Sequence, residues 1–263
     1  MSESFFDQLI EAIQREGGSG YFTGVAPETL NEFFSDPTPD RPDSPIPAKP
    51  NAPTARSVPE SCPGSTVNSA TPPAVAAATN KMDWKTLRAD CMRCTACSRA
   101  GKLPIFGWGS AGNQPVLFIS DEPDRAEQQQ NDLRAGESGK LLVKMIDAMQ
   151  LKHNEVFITY MMKCCCPEAK TLDESDFNCC IGYLKRQIEL LRPRVIIGMG
   201  ALPLRLVNCG EKISHCRGRW MKYDSIPFMP TFHPGYLARV ERAKRDAWND
   251  LKAVMKFLAE NPQ

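Results

Sequence analysis

The chain has 263 residues, 42% of them hydrophobic, which is enough apolar surface for one or two domains with a buried core. No stretch approaches the roughly 18 apolar residues that a membrane-spanning helix requires, so we expect no membrane partner. The net charge of +1 divides unevenly, because residues 1–82 carry 5 Lys+Arg against 10 Asp+Glu and residues 83–263 carry 27 against 21. A basic body behind an acidic leader fits a polyanion-binding surface, and it equally fits an ordinary solvated surface.

Residues 1–35 have the pattern of a short helical leader. Apolar side chains between residues 6 and 13 share one helical face, and Gly17-Gly18 ends the helix. The segment lacks the cationic start and small-residue cleavage site of a signal peptide, so we expect a cytoplasmic protein. The leader either docks to a protein partner or is loosely ordered, and the sequence does not separate these alternatives.

Residues 36–80 differ in composition, since they hold 11 of the 22 prolines together with many Ser, Thr and Ala residues. Such a segment buries too little apolar surface to offset the entropy cost of ordering it. We therefore expect a disordered tether between the leader and a folded domain that spans residues 83–260.

Short apolar runs alternate with helical periodicity from residue 82 onward. The predicted strands are Val116–Ile119, Val156–Tyr160, Val195–Gly198 and Ile226–Met229, and the predicted helices are 138–149, 173–192, 201–208 and 241–259. This alternation predicts an α/β fold in which helices cover both faces of a mostly parallel, four-stranded sheet. Ligands bind beyond the carboxyl ends of the strands in such folds, so we expect the site in the loops after Ile119, Tyr160 and Phe232.

Eleven cysteines in a reducing compartment favour metal binding over disulfides. Eight of them form two groups, which are Cys91, Cys94 and Cys97, and Cys164, Cys165, Cys166, Cys179 and Cys180. Four thiolates bind an iron–sulfur cluster or a structural zinc ion, and spacing alone does not separate the two metals. The remaining Cys62, Cys209 and Cys216 fit the role of small buried hydrophobic residues.

Further motifs follow one another in order across residues 83–260. They are Cys94-Thr95-Ala96-Cys97, Phe106-Gly107-Trp108-Gly109, Lys163-Cys164, Cys180-x2-Tyr183-Leu184, Arg217-Gly218-Arg219-Trp220, Phe232–Arg239 and Lys244-x3-Trp248-x-Asp250-Leu251. This ordered set resembles the 4Fe-4S uracil-DNA glycosylases of bacteria and archaea. The resemblance implies a three-layer α/β/α sandwich, DNA as the partner, and a 4Fe-4S cluster bound by Cys94, Cys97, Cys164 and Cys180, with Cys179 as the alternative to Cys180.

The resemblance also implies an active site. His233 stands at the His-Pro position of the family, where it contacts the departing uracil oxygen and stabilises the developing anion. Asp121 replaces the family glutamate in the loop after the first strand, and Glu127 matches a second acidic position, so either carboxylate can orient the attacking water. Pro123 and Pro234 lie in the same two loops and are expected to contact the substrate.

Five further positions depart from the family pattern, among them Glu122, where the family has Ala or Gly. Ser120 and Asp124 replace two glycines, which permit a close backbone approach that larger residues tolerate less well. Arg134 takes the place of a uracil-stacking Phe, and Tyr160 takes that of the Asn that reads the uracil edge. An Arg stacks on a base and a Tyr forms one hydrogen bond, but neither reproduces the paired donor and acceptor of an amide. Uracil specificity is therefore expected to be relaxed.

The expected DNA surface is basic. Gly136-Glu137-Ser138-Gly139-Lys140 lacks the spacing of a nucleotide-binding phosphate loop, and we interpret Gly139 and Lys140 as part of a helix N-terminus that meets DNA phosphate. The cations expected to hold the DNA backbone are Lys140, Lys163, Arg217, Arg219, Arg239 and Arg242.

Three functions remain open on the sequence. The first is a monomeric DNA glycosylase that hydrolyses the N-glycosidic bond of uracil or another deaminated base, using Asp121 or Glu127 with His233. The second is a catalytically degenerate, glycosylase-like iron–sulfur module that binds DNA without excision. The third is a redox or zinc protein unrelated to DNA. Retention of His233 favours the first function, whereas Arg134 and Tyr160 favour the second.

Overall fold

The structure is a computed structural model that describes residues 82–99, 103–109, 116–165 and 173–262. The predicted leader (residues 1–35) and tether (residues 36–80) lie outside the described residues and stay predictions. Apart from residues 82, 261 and 262, the described residues fall within the predicted folded domain, residues 83–260.

A five-stranded sheet forms the centre of this domain. Its strands are β1 (Val116–Ser120), β2 (Val156–Tyr160), β3 (Val195–Met199), β4 (Met221–Tyr223) and β5 (Ile226–Thr231), in the order β2-β1-β3-β5-β4. All neighbouring strands pair in parallel except β4, which is antiparallel to β5. The predicted α/β fold with a mostly parallel sheet is confirmed, and the structure adds β4. This short edge strand has no buried residue, so no apolar run marks it in the sequence.

The central strands are buried because helices lie on both sides of the sheet. Every residue of β1, β2 and β3 is buried, which is why each reads as a continuous apolar run rather than an alternating one. In the register of the sheet, Ser120 at the end of β1 pairs with Tyr160 at the end of β2. The carboxyl ends of these two strands therefore meet at one edge.

The helices agree with the predicted periodicity in most places. They are α1 (Trp84–Met92), α2 (Arg125–Gln130), α3 (Glu137–Ala148), α4 (Glu174–Leu191), α5 (Ile213–Cys216), α6 (Pro234–Leu237) and α7 (Ala243–Glu260), with 3-10 helices at Leu133–Ala135, His153–Glu155 and Leu202–Val207. The predicted helix 201–208 is a 3-10 helix, with Pro203 in its first turn, where the missing N–H of proline is tolerated. Among the described helices, none combines the length and the apolar character that crossing a membrane requires.

One side of the sheet packs against α1 and α4. Leu117 and Ile119 of β1 join Leu87 of α1 and Leu184 of α4 in one hydrophobic cluster, and none of these side chains is exposed. Cys91 of α1 belongs to the same cluster. This packing fixes the first cysteine group against the sheet and against the helix that carries part of the second group.

Gly139 lets α3 approach the preceding 3-10 helix closely. A Cβ atom at this position would lie 1.6 Å from the Leu133 carbonyl oxygen and 2.8 Å from Glu127 Oε1. The first of these atoms belongs to the backbone and the second to a buried carboxylate. A side chain at residue 139 would therefore push the backbone apart at the carboxyl ends of the strands.

We expect Gly139→Ala to destabilise the domain by about 3 kcal/mol, because overpacking against a fixed carbonyl group strains the backbone. Gly210→Ala is the matched control, since a Cβ atom there meets nothing within 4 Å. The control should change the free energy of unfolding by less than about 0.5 kcal/mol. Urea denaturation followed by circular dichroism measures both variants, and equal effects would contradict the packing assigned to Gly139.

Candidate active site and cysteine centre

A small cavity lies at the carboxyl ends of β1 and β2, beside the loop that follows β5. Its lining includes Ser120, Glu127, Tyr160, His233 and Pro234. Ser120 and Tyr160 end their strands, Glu127 lies in α2, and His233 is the N-cap of α6. The structure therefore brings together four residues that the sequence predicted for the site, Glu127, Tyr160, His233 and Pro234.

His233 is held in one tautomer by its neighbours. Its Nδ1 accepts a hydrogen bond from the Gly235 N–H at 2.9 Å, so the neutral ring carries its proton on Nε2. Burial lowers the pKa of His233 to about 4, which keeps the imidazole neutral at physiological pH. Nε2 lies 2.8 Å from Ser120 Oγ and donates to it. The cavity thus contains a neutral N–H donor in a fixed orientation.

Glu127 and Tyr160 form a second hydrogen-bonded pair in the cavity. The Tyr160 hydroxyl donates to Glu127 Oε2 at 3.0 Å, and the Asp124 N–H donates to the same oxygen at 2.9 Å. Asp124 accepts from the Glu127 N–H at 2.8 Å, which completes a capping box at the start of α2. Burial raises the pKa of Glu127 to about 7, so this carboxyl titrates near neutral pH. Burial also raises the pKa of Tyr160, which stays a hydrogen-bond donor.

Asp121, the other predicted carboxylate, faces a different part of the structure. Its Oδ1 accepts a hydrogen bond from the Leu202 N–H at 3.0 Å, and a Cβ atom on Gly200 would lie 2.7 Å from the same oxygen. Burial raises the pKa of Asp121 to about 6. Asp121 therefore ties the loop after β1 to the turn after β3, while Glu127 lies in the cavity with His233.

The predicted substrate-binding residues Pro123 and Arg134 lie apart from this pair. Pro123 is buried in the loop after β1. Arg134 is exposed and lines a neighbouring groove along the edge strand β2, together with Trp108. The Trp108 ring centroid is 5.9 Å from that of Tyr160. The sequence position of Arg134 predicts that it stacks on the bound base. Sequence position does not show, however, in which direction the 3-10 helix Leu133–Ala135 points its side chains.

Lys163 is one of the cations expected to hold a polyanion, and the structure corrects that expectation. Its side chain is 2% exposed. The ammonium donates to Thr159 Oγ1 at 2.6 Å, to the Tyr160 carbonyl oxygen at 2.8 Å and to Gln187 Oε1 at 2.7 Å. The prediction that Lys163 contacts DNA is wrong, because its ammonium is buried and donates its hydrogen bonds to three acceptors within the protein.

Four other cations are exposed, namely Lys140, Arg219, Arg239 and Arg242. Lys140 and Arg219 each pair with an exposed glutamate, at 2.6 Å and 3.2 Å. Exposed ion pairs contribute little to stability, so these cations can exchange a glutamate for another anion. Gly139, which was predicted to join Lys140, is buried behind it.

Arg217 forms a largely buried ion pair. Its Nε donates to Asp250 Oδ2 at 3.0 Å and its Nη2 to Oδ1 at 2.5 Å, while Thr231 Oγ1 donates to Oδ2 at 2.7 Å. Asp250 is 2% exposed, and burial raises its pKa to about 6 although Arg217 and Thr231 act in the opposite direction. The ion pair joins the turn after α5 to α7 and to the end of β5, just before His233. Arg217 is therefore a positioning residue in this structure.

Six cysteine side chains surround a second cavity between α1, α4 and the loop after β2. They are Cys91, Cys94, Cys97, Cys164, Cys179 and Cys180. The four predicted ligands and the alternative Cys179 all belong to this set. Cys166 lies outside the described residues. We call this set the cysteine centre.

The surroundings of the cysteine centre suit anionic sulfur ligands. The Lys163 N–H donates to Cys180 Sγ at 3.2 Å, and the buried Lys163 ammonium interacts electrostatically with Cys91, Cys164 and Cys180. Burial raises the pKa of Cys164 to about 12 and that of Cys180 to about 11. A bound metal ion reverses this preference for the thiol form, since its charge stabilises thiolates. Six cysteines, two of them buried and four half-buried, surround one cavity beside a buried cation, which fits a thiolate-ligated cluster.

Arg99 links the cysteine centre to the loop after β1, and the sequence reasoning missed it. Arg99 donates to the Cys164 carbonyl oxygen at 3.0 Å and forms an ion pair with Glu122. Its Nε also lies 3.9 Å from an Asp176 carboxylate oxygen in α4. A signal was present in the sequence, because Glu122 stands where the resembling family has Ala or Gly, and an added carboxylate next to a site calls for a cation.

The chain belongs to the uracil DNA glycosylase superfamily, whose family model matches residues 106–252, more than half of its length. Within the superfamily it is a divergent relative of the type-4 uracil-DNA glycosylases. It is 27% identical to the type-4 uracil-DNA glycosylase of Thermotoga maritima, over 63% of this chain and 90% of that protein. The type-4 uracil-DNA glycosylase of Saccharolobus solfataricus is 29% identical over 69% of this chain and 89% of its own. The resemblance inferred from the motifs is confirmed.

A further relative differs in its overall organisation. A DNA polymerase of Bacillus phage SP01 is 23% identical over 59% of this chain, which corresponds to 17% of the polymerase. Similarity to this chain is therefore confined to one part of a much longer protein.

We expect Arg217→Ala to destabilise the protein by about 3 kcal/mol, because it leaves the buried Asp250 carboxylate without its cation. The control Arg239→Ala removes an exposed side chain and should cost less than about 0.5 kcal/mol. The folded-state pKa of Asp250 is raised, so this group stabilises the fold below its unfolded-state pKa and loses that contribution as the pH rises through about 6. Without Arg217 the folded-state pKa of Asp250 rises further, so ionisation of Asp250 lowers the free energy of unfolding by more.

The destabilisation by Arg217→Ala should therefore increase between about pH 5 and about pH 8, as Asp250 ionises. Chemical denaturation of both proteins across this range measures the difference. A cost that does not change with pH would contradict the ion pair as the main contribution of Arg217.

Proposed function

We propose that this protein is a DNA base-excision glycosylase that hydrolyses the N-glycosidic bond of uracil or another deaminated base. The observation that carries the proposal is the convergence of Glu127 and His233 on one cavity at the carboxyl ends of the strands. Membership of the uracil DNA glycosylase superfamily and the type-4 uracil-DNA glycosylases among its relatives support the same substrate class.

Excision requires that the base leaves the duplex stack and departs as an anion while water attacks the sugar. In the proposed mechanism, Nε2 of the neutral His233 donates to a carbonyl oxygen of the base, which replaces Ser120 Oγ as the acceptor. A preoriented donor stabilises the charge that develops on that oxygen. Glu127, whose pKa is about 7, orients the water and accepts its proton. Asp121 positions the loop through Leu202.

Tyr160 is proposed to limit which bases enter and how well they are read. Its hydroxyl holds Glu127 at 3.0 Å, so a base reaches the carboxylate only when this hydrogen bond opens or shifts to the base. Either arrangement supplies one hydrogen bond in place of the paired contacts of an amide, and discrimination in favour of uracil falls. We infer slow excision with relaxed base choice, preferentially from single strands or mismatches, where extrusion costs less.

A catalytically degenerate DNA-binding module is the second candidate. The observation that favours it is that both proposed catalytic side chains already have partners within the protein, Glu127 with Tyr160 and His233 with Ser120. A site that satisfies its own hydrogen bonds binds a base less readily, because each internal contact must first be broken. Excision assays separate this candidate from the first.

We propose that Cys94, Cys97, Cys164 and Cys180 hold a 4Fe-4S cluster in the cysteine centre. Cys180 is preferred over Cys179 because Cys180 is the buried residue of the two and receives the Lys163 N–H. When bound, the cluster supplies a covalent cross-link among the turn after α1, the loop after β2 and α4. Arg99 binds both the Cys164 carbonyl oxygen and the Glu122 carboxylate, so it connects the cross-linked loop after β2 to the loop after β1.

The exposed Lys140, Arg239 and Arg242 are proposed to bind the DNA backbone, together with Tyr236, which is 39% exposed beside His233 in sequence. We also propose that the protein is a monomer that acts on DNA in the cytoplasm. A partner for residues 1–35 stays a prediction.

The purified protein should contain about four irons per chain and show the broad visible absorbance of an iron–sulfur cluster. Cys94→Ala and Cys164→Ala should each lose iron and absorbance. Cys165→Ala is the control, because Cys165 is the sequence neighbour of Cys164 but stands outside the proposed ligand set. Iron analysis by mass spectrometry checks all four proteins, and one zinc per chain in place of iron would overturn the cluster.

Excision is expected to depend on His233 and Glu127. His233→Ala should lower the rate by roughly a hundredfold or more, the usual scale for removing one transition-state donor. In the native protein kcat/KM should rise with pH through about 7, because the ionised form of Glu127 is required. Glu127→Gln should abolish this rise, whereas Asp121→Asn keeps an acceptor for the Leu202 N–H and should retain it.

The assay cleaves abasic sites after incubation with single-stranded and duplex DNA that carries uracil, hypoxanthine, xanthine or hydroxymethyluracil. Tyr160→Asn should raise uracil excision, since it opens the cavity and restores the amide. Salt-dependent DNA binding without excision of any base, in the native protein and in Tyr160→Asn, would support the degenerate module instead.

A further inference from the structure

Cys209 and Cys216 lie outside the cysteine centre, and each is predicted from the sequence to be a small buried hydrophobic residue. The structure brings them together, with their Sγ atoms 3.0 Å apart. Cys209 follows the 3-10 helix Leu202–Val207, and Cys216 is the last residue of α5. Backbone hydrogen bonds fix both residues, because the Cys209 N–H donates to the Leu204 carbonyl at 3.0 Å and the Cys216 N–H to the Lys212 carbonyl at 3.3 Å.

Access to the two sulfurs is unequal. Cys216 has no exposed surface, whereas Cys209 is half-buried. A reagent from solution therefore reaches Cys209 first, and Cys216 stands within reach of whatever forms there. An accessible thiol with a second thiol within reach of it favours disulfide exchange, because the second thiolate can attack the mixed disulfide formed at the first.

A metal ion fits the pair less well. Cys209, Glu211 and Cys216 place their ligand atoms within 4.8 Å of one another, but this is three donors, and Glu211 is paired with Arg219 at 3.2 Å. A structural zinc ion takes four ligands, and two sulfurs at about 2.3 Å from it in tetrahedral geometry lie about 3.8 Å apart. The sulfurs here are closer than that and need to approach by about 1 Å to reach the disulfide bond length.

We propose that Cys209 and Cys216 form a reversible disulfide with a small-molecule disulfide as the oxidant. The Cys209 thiolate attacks the oxidant, so a mixed disulfide forms at Cys209 and one small thiol leaves. Cys216, as its thiolate, then attacks the Cys209 sulfur, so the protein disulfide forms and the second small thiol leaves. Two protein thiols are oxidised and one small disulfide is reduced to two thiols. Disulfides of this kind in a reducing compartment are transient and respond to redox conditions.

The disulfide closes a loop of eight residues. This loop lies between two segments whose contacts position the loops of the candidate active site. The first segment begins at Leu202, which binds Asp121, and the second leads into Arg217, which binds Asp250. Closing the loop restricts the unfolded chain, so oxidation is expected to raise the melting temperature by roughly 5 °C.

The test uses the full chain, treated with oxidised glutathione under anaerobic conditions and digested with trypsin without reductant. Trypsin cleaves after Arg205, Lys212 and Arg217, so the disulfide joins peptides 206–212 and 213–217 into one species that reduction splits. Mass spectrometry detects this species directly in the native protein. Its absence after oxidation would overturn the proposal.

Two single variants test the order of attack. Cys216→Ser should accumulate a glutathione mixed disulfide at Cys209, because the resolving thiol is missing. Cys209→Ser should leave Cys216 unmodified, because Cys216 is buried, and Cys165→Ser should behave as the native protein does. Modification of Cys216 in Cys209→Ser would contradict the assigned roles. Binding of one zinc per chain that both variants lose, with iron content unchanged, would replace the disulfide by a metal site.

Discussion

The buried ammonium of Lys163 is the interaction on which the organisation of both sites depends. A charge without exposure is tolerated only when every proton has an acceptor, and here Thr159, the Tyr160 carbonyl and Gln187 supply them. Gln187 belongs to α4 and also donates to the Phe106 carbonyl at 2.8 Å, so one charge joins a helix, a strand end and the segment before β1. The same charge lies next to the cysteine centre. Lys163 therefore contacts both the strand end that carries Tyr160 and the cysteine centre.

The departures from the family pattern are accompanied by internal partners. The Tyr160 hydroxyl donates a hydrogen bond to Glu127, and Ser120 Oγ accepts one from His233. Glu122, where the family has a small residue, pairs with Arg99. Each substitution that adds a polar group near the cavity has therefore gained a specific contact, which is how a folded protein avoids the cost of an unpaired buried group. Because these side chains are paired, a substitution at one position also removes the hydrogen bond or ion pair of its partner.

Eight of the nine described cysteines form a large set beside Lys163 and a pair next to Arg217. The large set has a buried cation nearby and enough sulfurs for four ligands, whereas the pair has two sulfurs in contact and unequal exposure. Cysteine sulfur therefore serves both metal binding and disulfide formation in this protein. The number and spacing of the sulfurs decide between the two. Arg99 connects the large set to the loop after β1, and Asp121 in that loop binds Leu202, which begins the 3-10 helix that precedes Cys209.

The sequence by itself determined the four longer strands, the long helices and the positions of the site loops, because strands covered on both faces must be apolar throughout and amphipathic helices repeat their apolar positions. It also indicated the cysteine groups and His233 through their local motifs. Tertiary structure alone decided which side chains meet. It turned Asp121 towards Leu202, placed Arg134 in a separate groove, buried Lys163, and joined Cys209 to Cys216. Periodicity records whether a residue is buried, but partners far apart in sequence are fixed only when the elements pack, because a side-chain contact depends on the orientation of both backbones.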